Sequence, residues 1–329
     1  MNSDYKSAVI ITSKCIGGSP QQIQLSRCRV LNMSVVISLN KLSKNYGNSR
    51  GITDISFDIS RGEVFGFLGP NGAGKTTALR TLVGLIKATS GSARILCYDA
   101  LHSSSELRSK IGYLPGSLSL YKNYTGLELL HFLAKMRQLN CDDAIKDFAQ
   151  RLNLDLNRKI GDLSQGNRQK VGVIQAFMHK PEVLLLDEPT GGLDPLSQRA
   201  FEDMLDEVQA RGATIMLSSH VLSEVEHLAD RIAIVNEGRL LVVEHISVLK
   251  ERAIRKLDLN FDTEVSIELF KNITSIKDLQ SHGTQISCSV IGSETEVLKV
   301  AVENNVRSVN SHETSLEEIF LDLVAKEVK

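Results

Sequence analysis

The stretch Gly69-Pro70-Asn71-Gly72-Ala73-Gly74-Lys75-Thr76-Thr77 constrains this chain more than any other. It fits the spacing Gly-x-x-x-x-Gly-Lys-[Ser/Thr], a loop that cradles nucleotide phosphates. An apolar run, Val64-Phe65-Gly66-Phe67-Leu68, leads in and predicts a buried strand. Helix-forming residues follow from Lys75 to Val83, so the loop lies between strand and helix. Glycines let the backbone wrap tightly and aim successive N–H groups inward as an anion nest. The helix start adds unpaired N–H donors and a partial charge of roughly +0.5. In such a loop Lys75 reaches the β- and γ-phosphates and the Thr76 hydroxyl ligates Mg²⁺. A glycine-rich turn that merely matches the pattern is the alternative, and the strand–loop–helix context weighs against it. The stretch therefore implies a site for ATP or GTP.

Composition excludes several classes. At 329 residues the chain has room for one large domain and a smaller one. Its 42% hydrophobic and 23% charged residues are ordinary for a soluble globular protein. A net charge of −1 gives no reason to expect nucleic acid as an electrostatic partner. The five cysteines, Cys15, Cys28, Cys97, Cys141 and Cys288, are scattered and never spaced Cys-x-x-Cys. That pattern predicts free thiols in a reducing compartment and no structural zinc. No apolar run approaches the about 18 residues needed to span a bilayer. Work at a membrane would need another chain to do the spanning.

Residues 1–33 fit poorly with the rest of the chain and read as an N-terminal extension. Either translation begins at Met33, or these residues form a disordered tail. Strands are expected near Val35–Leu42 and Thr53–Ile59, with Tyr46 between them. A ring there could stack on a nucleotide base, or be an ordinary half-buried tyrosine. Ser92–Tyr98 predicts a strand, Glu106–Lys110 a short helix, and Ile111–Pro115 a strand stopped by its proline. Thr125-Gly126-Leu127-Glu128 fits a capping box that opens a helix through about Leu139. Leu129, Leu130, Phe132, Leu133 and Met136 fall near helical spacing on it. Asp142–Leu152 reads as a second amphipathic helix, and Asp162–Lys170 runs into a helix ending near Met178.

Val183-Leu184-Leu185-Leu186-Asp187-Glu188 is an apolar strand ending in two acids. Carboxylates at the C-terminal end of such a strand lie where a doubly wound sheet holds its ligand. Asp187 suits holding Mg²⁺ through water, and Glu188 suits orienting or deprotonating the attacking water. A solvated strand end is the plainer reading, but Lys75 and Thr76 need such a partner. Gly191–Pro195 turns the chain into a helix through about Arg211. Ala213–Leu217 predicts another strand, with Ser218-Ser219-His220 at its end. A lone histidine is usually structural, yet one at this position is a candidate contact for a γ-phosphate. Arg231–Asn236 and Leu240–Val243, turned at Gly238, complete the sheet.

This order of motifs resembles the ATP-binding subunit of an ABC transporter, over roughly residues 34 to 248. Gly69–Thr77 matches its Walker A loop, Leu163–Asn167 its signature, Val183–Glu188 its Walker B strand, Leu193-Asp194 its D-loop and His220 its switch histidine. The resemblance implies an α/β P-loop NTPase with a RecA-like core, an antiparallel β subdomain and a helical subdomain at about 117–178. It also implies ATP and Mg²⁺ as cofactors, Tyr46 as an adenine-stacking ring, and Glu188 as catalytic base, with Lys75 and His220 on the γ-phosphate. Ser164 and Gly166 would grip ATP bound to a second ATP-binding subunit, in the simplest case another copy. Asp194 would communicate across that pair. Two departures stand out: the signature reads Leu-Ser-Gln-Gly-Asn where Leu-Ser-Gly-Gly-Gln is commonest, and Gly116 occupies the position of a glutamine that senses Mg²⁺ and water. The Gly116–Tyr124 segment would lie in the groove that receives the membrane partner.

Residues 250–329 read as a small C-terminal α+β domain. Leu257, Leu259 and Phe261 alternate as in a strand, as do Ile286, Cys288 and Val290. Helices are expected at Glu294–Asn304 and Leu316–Ala325. Leu316-Glu317-Glu318-Ile319-Phe320 resembles the ending of exporter ATPases that act with a separately encoded integral membrane permease. The leading expectation is thus an exporter ATPase, peripheral on the cytoplasmic side of the cell membrane. The alternatives are a soluble ABC ATPase acting on ribosomes or DNA and a regulator that binds ATP without hydrolysing it. One phosphate loop and no sustained heptads weigh against the first; Glu188 and His220 weigh against the second.

Overall fold

The computed structural model describes residues 34–327, apart from 48, 103, 253 and 313–315. The expectations for residues 1–33, and for Cys15 and Cys28, lie outside the described residues. In chain order the strands open with β1 (Val35–Tyr46), β2 (Ser49–Ser60), β3 (Val64–Leu68), β4 (Ser90–Ile95) and β5 (Tyr98–Asp99). They continue with β6 (Ile111–Leu114), β7 (Val183–Asp187), β8 (Thr214–Ser219), β9 (Arg231–Asn236) and β10 (Arg239–His245). The last four are β11 (Ile254–Phe261), β12 (Ile276–His282), β13 (Gln285–Ile291) and β14 (Val306–His312).

The central sheet has the order β10-β9-β3-β8-β7-β6. Five of its strands are parallel, and β10 closes one edge antiparallel to β9. Strands covered on both faces read as continuous apolar runs. Accordingly every residue of β3, β7 and β8 is buried. The two faces feed two cores. Val64, Leu184, Leu186 and Leu217 pack with Phe177 and Phe201 on one side. Phe65, Phe67, Leu185 and Met216 pack with Ile37, Ile55 and Leu79 on the other. That second face carries an antiparallel sheet of order β2-β1-β4-β5. Phe57 of β2 stacks on Phe65 of β3 at 4.9 Å between ring centroids.

The first strand runs on to Tyr46, which pairs with Ser49, so Tyr46 ends a strand instead of lying between two. The segment expected as Ser92–Tyr98 splits into β4 and β5, because Leu96 and Cys97 take left-handed φ values of 49° and 69° and turn the chain. Ile95 then pairs with Tyr98 across the turn.

In the helical insert the capping box of Thr125 and Glu128 forms as expected, and the helix spans Gly126–Met136. Its buried face is Leu129, Leu130 and Ala134, whereas Phe132 and Met136 from the expected stripe are exposed. Edge-on rings join the insert to the main body. Phe148 of helix Asp142–Arg151 meets Phe177 at 6.2 Å, and Phe177 meets Phe201 at 5.9 Å. Such pairs add about 0.5–1.5 kcal/mol each beyond area burial. They orient helix Gln165–Phe177, whose N-terminus carries the signature residues.

The third sheet, β12-β13-β11-β14, is fully antiparallel. With helices Glu268–Lys271 and Thr295–Glu303 it follows a β-α-β-β-α-β order. Its own core gathers Leu257, Leu259, Phe261, Phe270, Ile286, Val290 and Val297. Burial pushes the Cys288 thiol up to about 11, which suits an inert packing role. The last helix, Leu316–Glu327, departs from this unit. Leu316 is fully buried in the core of the central sheet, with Ile319 and Phe320 packed against it.

Candidate active site

The loop 69–74 joins β3 to helix Lys75–Leu82. Gly74 stands at the helix N-cap with φ 106°, a conformation side chains resist, and a Cβ there would fall 2.6 Å from Ile52 Cγ2. Lys75 is buried, and its ammonium donates to Gly69 O at 2.6 Å and Pro70 O at 3.2 Å. It also lies 3.3 Å from Glu188 Oε1. The loop is thus folded back over its own lysine.

Asp187 ends β7 and is fully buried. Ser218 Oγ of the neighbouring β8 donates to its Oδ1 at 2.6 Å, and the Gly116 N–H reaches its Oδ2 at 3.3 Å. Glu188 follows in the left-handed region, φ 50°, which costs a non-glycine residue of order 1 kcal/mol. That turn is held from several sides. The Glu188 N–H donates to Ser218 O at 3.1 Å and Ser218 Oγ at 3.2 Å. Gln169 Nε2 donates to Pro189 O at 3.0 Å and Glu188 O at 3.3 Å. The carboxylate so placed meets His220 Nδ1 through Oε2 at 2.7 Å.

A cavity of about 460 Å³ opens over these groups. Asn71, Gly72, Gly74, Lys75, Thr76, Thr77, Asp187 and Glu188 line it, together with Arg80, Gly116 and Ser117. A hydroxyl, an ammonium and two carboxylates therefore converge at the C-terminal ends of β3 and β7. Among the described residues no cluster of three or more His, Cys, Asp or Glu could hold a metal alone. One threonine hydroxyl with one buried carboxylate suits Mg²⁺, which keeps several waters and shares its shell with phosphates.

Of the expected residues, Tyr46, Ser164, Gly166, Asp194 and His220 do not line this cavity, nor do Gly69, Pro70 and Ala73 of the loop itself. Tyr46 is exposed, with Lys44 Nζ 5.1 Å from its ring centroid. Ser164 caps helix Gln165–Phe177, accepting from Asn167 N at 3.2 Å. Gly166 is pressed against the turn after Glu188, where a Cβ would lie 2.4 Å from Gly192 O. Asp194 caps helix Pro195–Ala210, accepting from Ser197 N at 2.9 Å and Ser197 Oγ at 2.7 Å. Those bonds, with Lys170 at 3.0 Å, hold its carboxyl well below the usual carboxylate range.

The ABC transporter family model matches residues 52–191. The bacitracin transport ATP-binding protein BcrA of Bacillus licheniformis is 34% identical over 300 residues, covering 89% of this chain and 98% of that protein. The linearmycin resistance ATP-binding protein LnrL of Bacillus subtilis (strain 168) is 29% identical over 310 residues, covering 89% and 100%. A solved ATP-binding subunit of an ABC transporter superposes with a TM-score of 0.62 at 29% identity, covering 65% of this chain and 92% of that one. The chain belongs to the ATP-binding subunits of ABC transporters.

In this ABC transporter subunit several residues that hold the site together lie outside the recognisable motifs. Gln169 and Lys170 are buried polar residues one turn beyond the signature, and they tie its helix to Pro189 O and Asp194. Their closeness to the signature was the only available signal. Ser218 was visible beside His220, but its bond to Asp187 spans 31 residues of sequence and needs the parallel pairing of β7 with β8. Thr190 Oγ1 donates to Glu224 Oε2 at 2.6 Å, linking the turn after Glu188 to the helix after His220.

Proposed function

We propose that this subunit hydrolyses ATP to drive an exporter whose membrane-spanning permease is a separate chain. The observation that carries the reading is the convergence of Lys75, Thr76, Asp187 and Glu188 on one cavity, with His220 bonded to Glu188.

Binding begins at the loop. Its N–H groups and the start of helix Lys75–Leu82 present positive ends to phosphate oxygens. Lys75 exchanges its carbonyl and Glu188 contacts for the β- and γ-phosphates. Thr76 and Asp187 hold Mg²⁺, which supplies charge neutralisation at the phosphates when bound. Glu188 then orients the attacking water and accepts its proton. His220 steadies the Glu188 carboxylate and contacts the γ-phosphate. Tyr46 offers a ring face for the adenine.

Ser164 and Gly166 stand outside their own cavity, at a helix start able to bind an anion. That placement supports a working pair of copies in which each signature closes the other's ATP site, with Asp194 near the junction. Tyr121, Tyr124 and Phe132 form an exposed aromatic run, with centroid spacings of 5.8 and 6.4 Å. An apolar patch of this kind on the helical insert suits a docking face for the permease. No helix among the described residues is long and apolar enough to cross a membrane, and in this reading the permease supplies the channel. Two relatives are a bacitracin transport and a linearmycin resistance ATP-binding protein, which supports a transport role for this subunit.

The test is purification of a tagged chain from gently solubilised membranes, followed by ATPase assay of the complex. The expected result is a polytopic membrane protein bound to the wild type and to Lys75→Ala, with ATP turnover lost in Lys75→Ala. Co-purification of ribosomal proteins or DNA with no membrane partner refutes the exporter reading.

A further inference from the structure

Gly116 stands where the family resemblance implies a glutamine, and with no side chain its backbone lies against Asp187. The chain leaves β6 at Leu114, passes Pro115, and runs directly over Asp187. The Gly116 N–H is the donor to Asp187 Oδ2, at 3.3 Å, while Ser218 Oγ serves Oδ1 at 2.6 Å. Asp187 is fully buried, so each carboxylate oxygen depends on such partners. Among the described residues no other hydrogen bond or ion pair to Oδ2 is found. A Cβ at position 116 would lie 3.0 Å from Oδ2, 3.1 Å from Cγ and 3.4 Å from the Asp187 carbonyl oxygen. The first two distances are tighter than ordinary van der Waals contact. A Cβ there would require the loop or the carboxylate to give by a few tenths of an ångström, enough to stretch the 3.3 Å bond.

From this we infer that Gly116 is a positioning residue: its N–H and Ser218 clamp the Asp187 carboxylate from both sides, a backbone bond standing in for side-chain control of the metal site. The inference rests on the reading of Asp187 as the Mg²⁺-holding carboxylate. A donor to a metal-holding carboxylate fixes its orientation, and removing such outer partners typically lowers metal affinity by about 10–100-fold. The absence of a Cβ then keeps that N–H close to the carboxylate, and the loop after β6 acts on the metal site through its own backbone.

The experiment measures Mn²⁺ affinity by electron paramagnetic resonance, with a non-hydrolysable ATP analogue bound. Metal-free binding of the same analogue is measured in parallel and reports an intact pocket. Gly116→Ala is expected to weaken Mn²⁺ binding by about tenfold or more, leaving metal-free analogue binding unchanged. In an Asp187→Asn background the same glycine substitution should change Mn²⁺ affinity no further, because the group it acts through is gone. The inference is overturned if Gly116→Ala binds Mn²⁺ like the wild type, or if the loss persists undiminished in the Asp187→Asn background. Equal loss of metal-free analogue binding also overturns it, since Gly116 would then act on the whole pocket. A wild-type protein that binds no analogue refutes the nucleotide reading itself and is recognised before any variant is compared.

Discussion

Replacing Glu188 with glutamine should have opposite effects on stability with and without nucleotide. Lys75 is 5% exposed and lies 3.3 Å from Glu188 Oε1, so the carboxylate is its anionic partner. At an effective dielectric of about 20 the attraction at this distance is about 5 kcal/mol before any cost is counted. Glu188 is 25% exposed, and water screening with side-chain ordering removes a large part of that figure. Glutamine can still accept a hydrogen bond from Lys75, and the Gly69 and Pro70 carbonyls remain. A net loss of about 2 kcal/mol is expected, lowering Tm by about 4 °C in the absence of nucleotide. With ATP and Mg²⁺ the phosphates take over Lys75, so this deficit should vanish. Blocked hydrolysis should then let the ATP-bound pair accumulate and raise Tm above the wild type. Calorimetry with and without Mg²⁺-ATP, with molar mass from light scattering, reads both effects. Equal Tm values without nucleotide would refute the assigned ion pair. A Glu188→Gln protein that stays monomeric with Mg²⁺-ATP would sink the two-copy arrangement.

Burial, reinforced by the Arg137 charge, holds His179 down to about 4 from its usual 6.5, while Nε2 bonds to Ile111 O. The unfolded chain binds a proton between those values and the folded chain does not, so stability should drop on the order of 3 kcal/mol as pH falls from 6.5 towards 4; urea titrations across that window should show the slope, and His179→Gln should flatten it. Tyr46→Ala should weaken nucleotide binding by about tenfold if the ring stacks on adenine, and Tyr46→Phe should keep wild-type affinity; a fluorescent ATP analogue measures both, and identical binding by all three proteins would dismiss the stacking role.

Short-range physics made much of this molecule legible from its sequence. The loop at Gly69–Thr77 is built from local conformational rules, because glycine at Gly74 and the following helix start are enough to dictate an anion nest. The apolar runs of β3 and β7 announce a sheet covered on both faces, and Asp187 and Glu188 mark the end that opens on the cavity. The capping box at Thr125 needs only neighbours three residues apart. Each of these signals is complete within one helical turn or one strand.

Features that depend on partners distant along the chain could come only from the tertiary structure. Periodicity could not tell that Phe132 and Met136 face outward while Ala134 faces in, because that depends on which side the core approaches. The last helix looked like part of the C-terminal unit, yet Leu316 packs into the core of the central sheet. The φ of Glu188 and its grip by Gln169 and His220 required three separate segments to meet. Gly116 shows the division most sharply. In the sequence it is a missing side chain; in the fold, 71 residues from Asp187, its bare backbone is a hydrogen-bond donor. By itself the sequence determined how the loop at Gly69–Thr77 folds, since backbone conformation there is local. Only tertiary packing decided how the carboxylates are held, since a buried charge takes its partners from whatever the fold brings beside it.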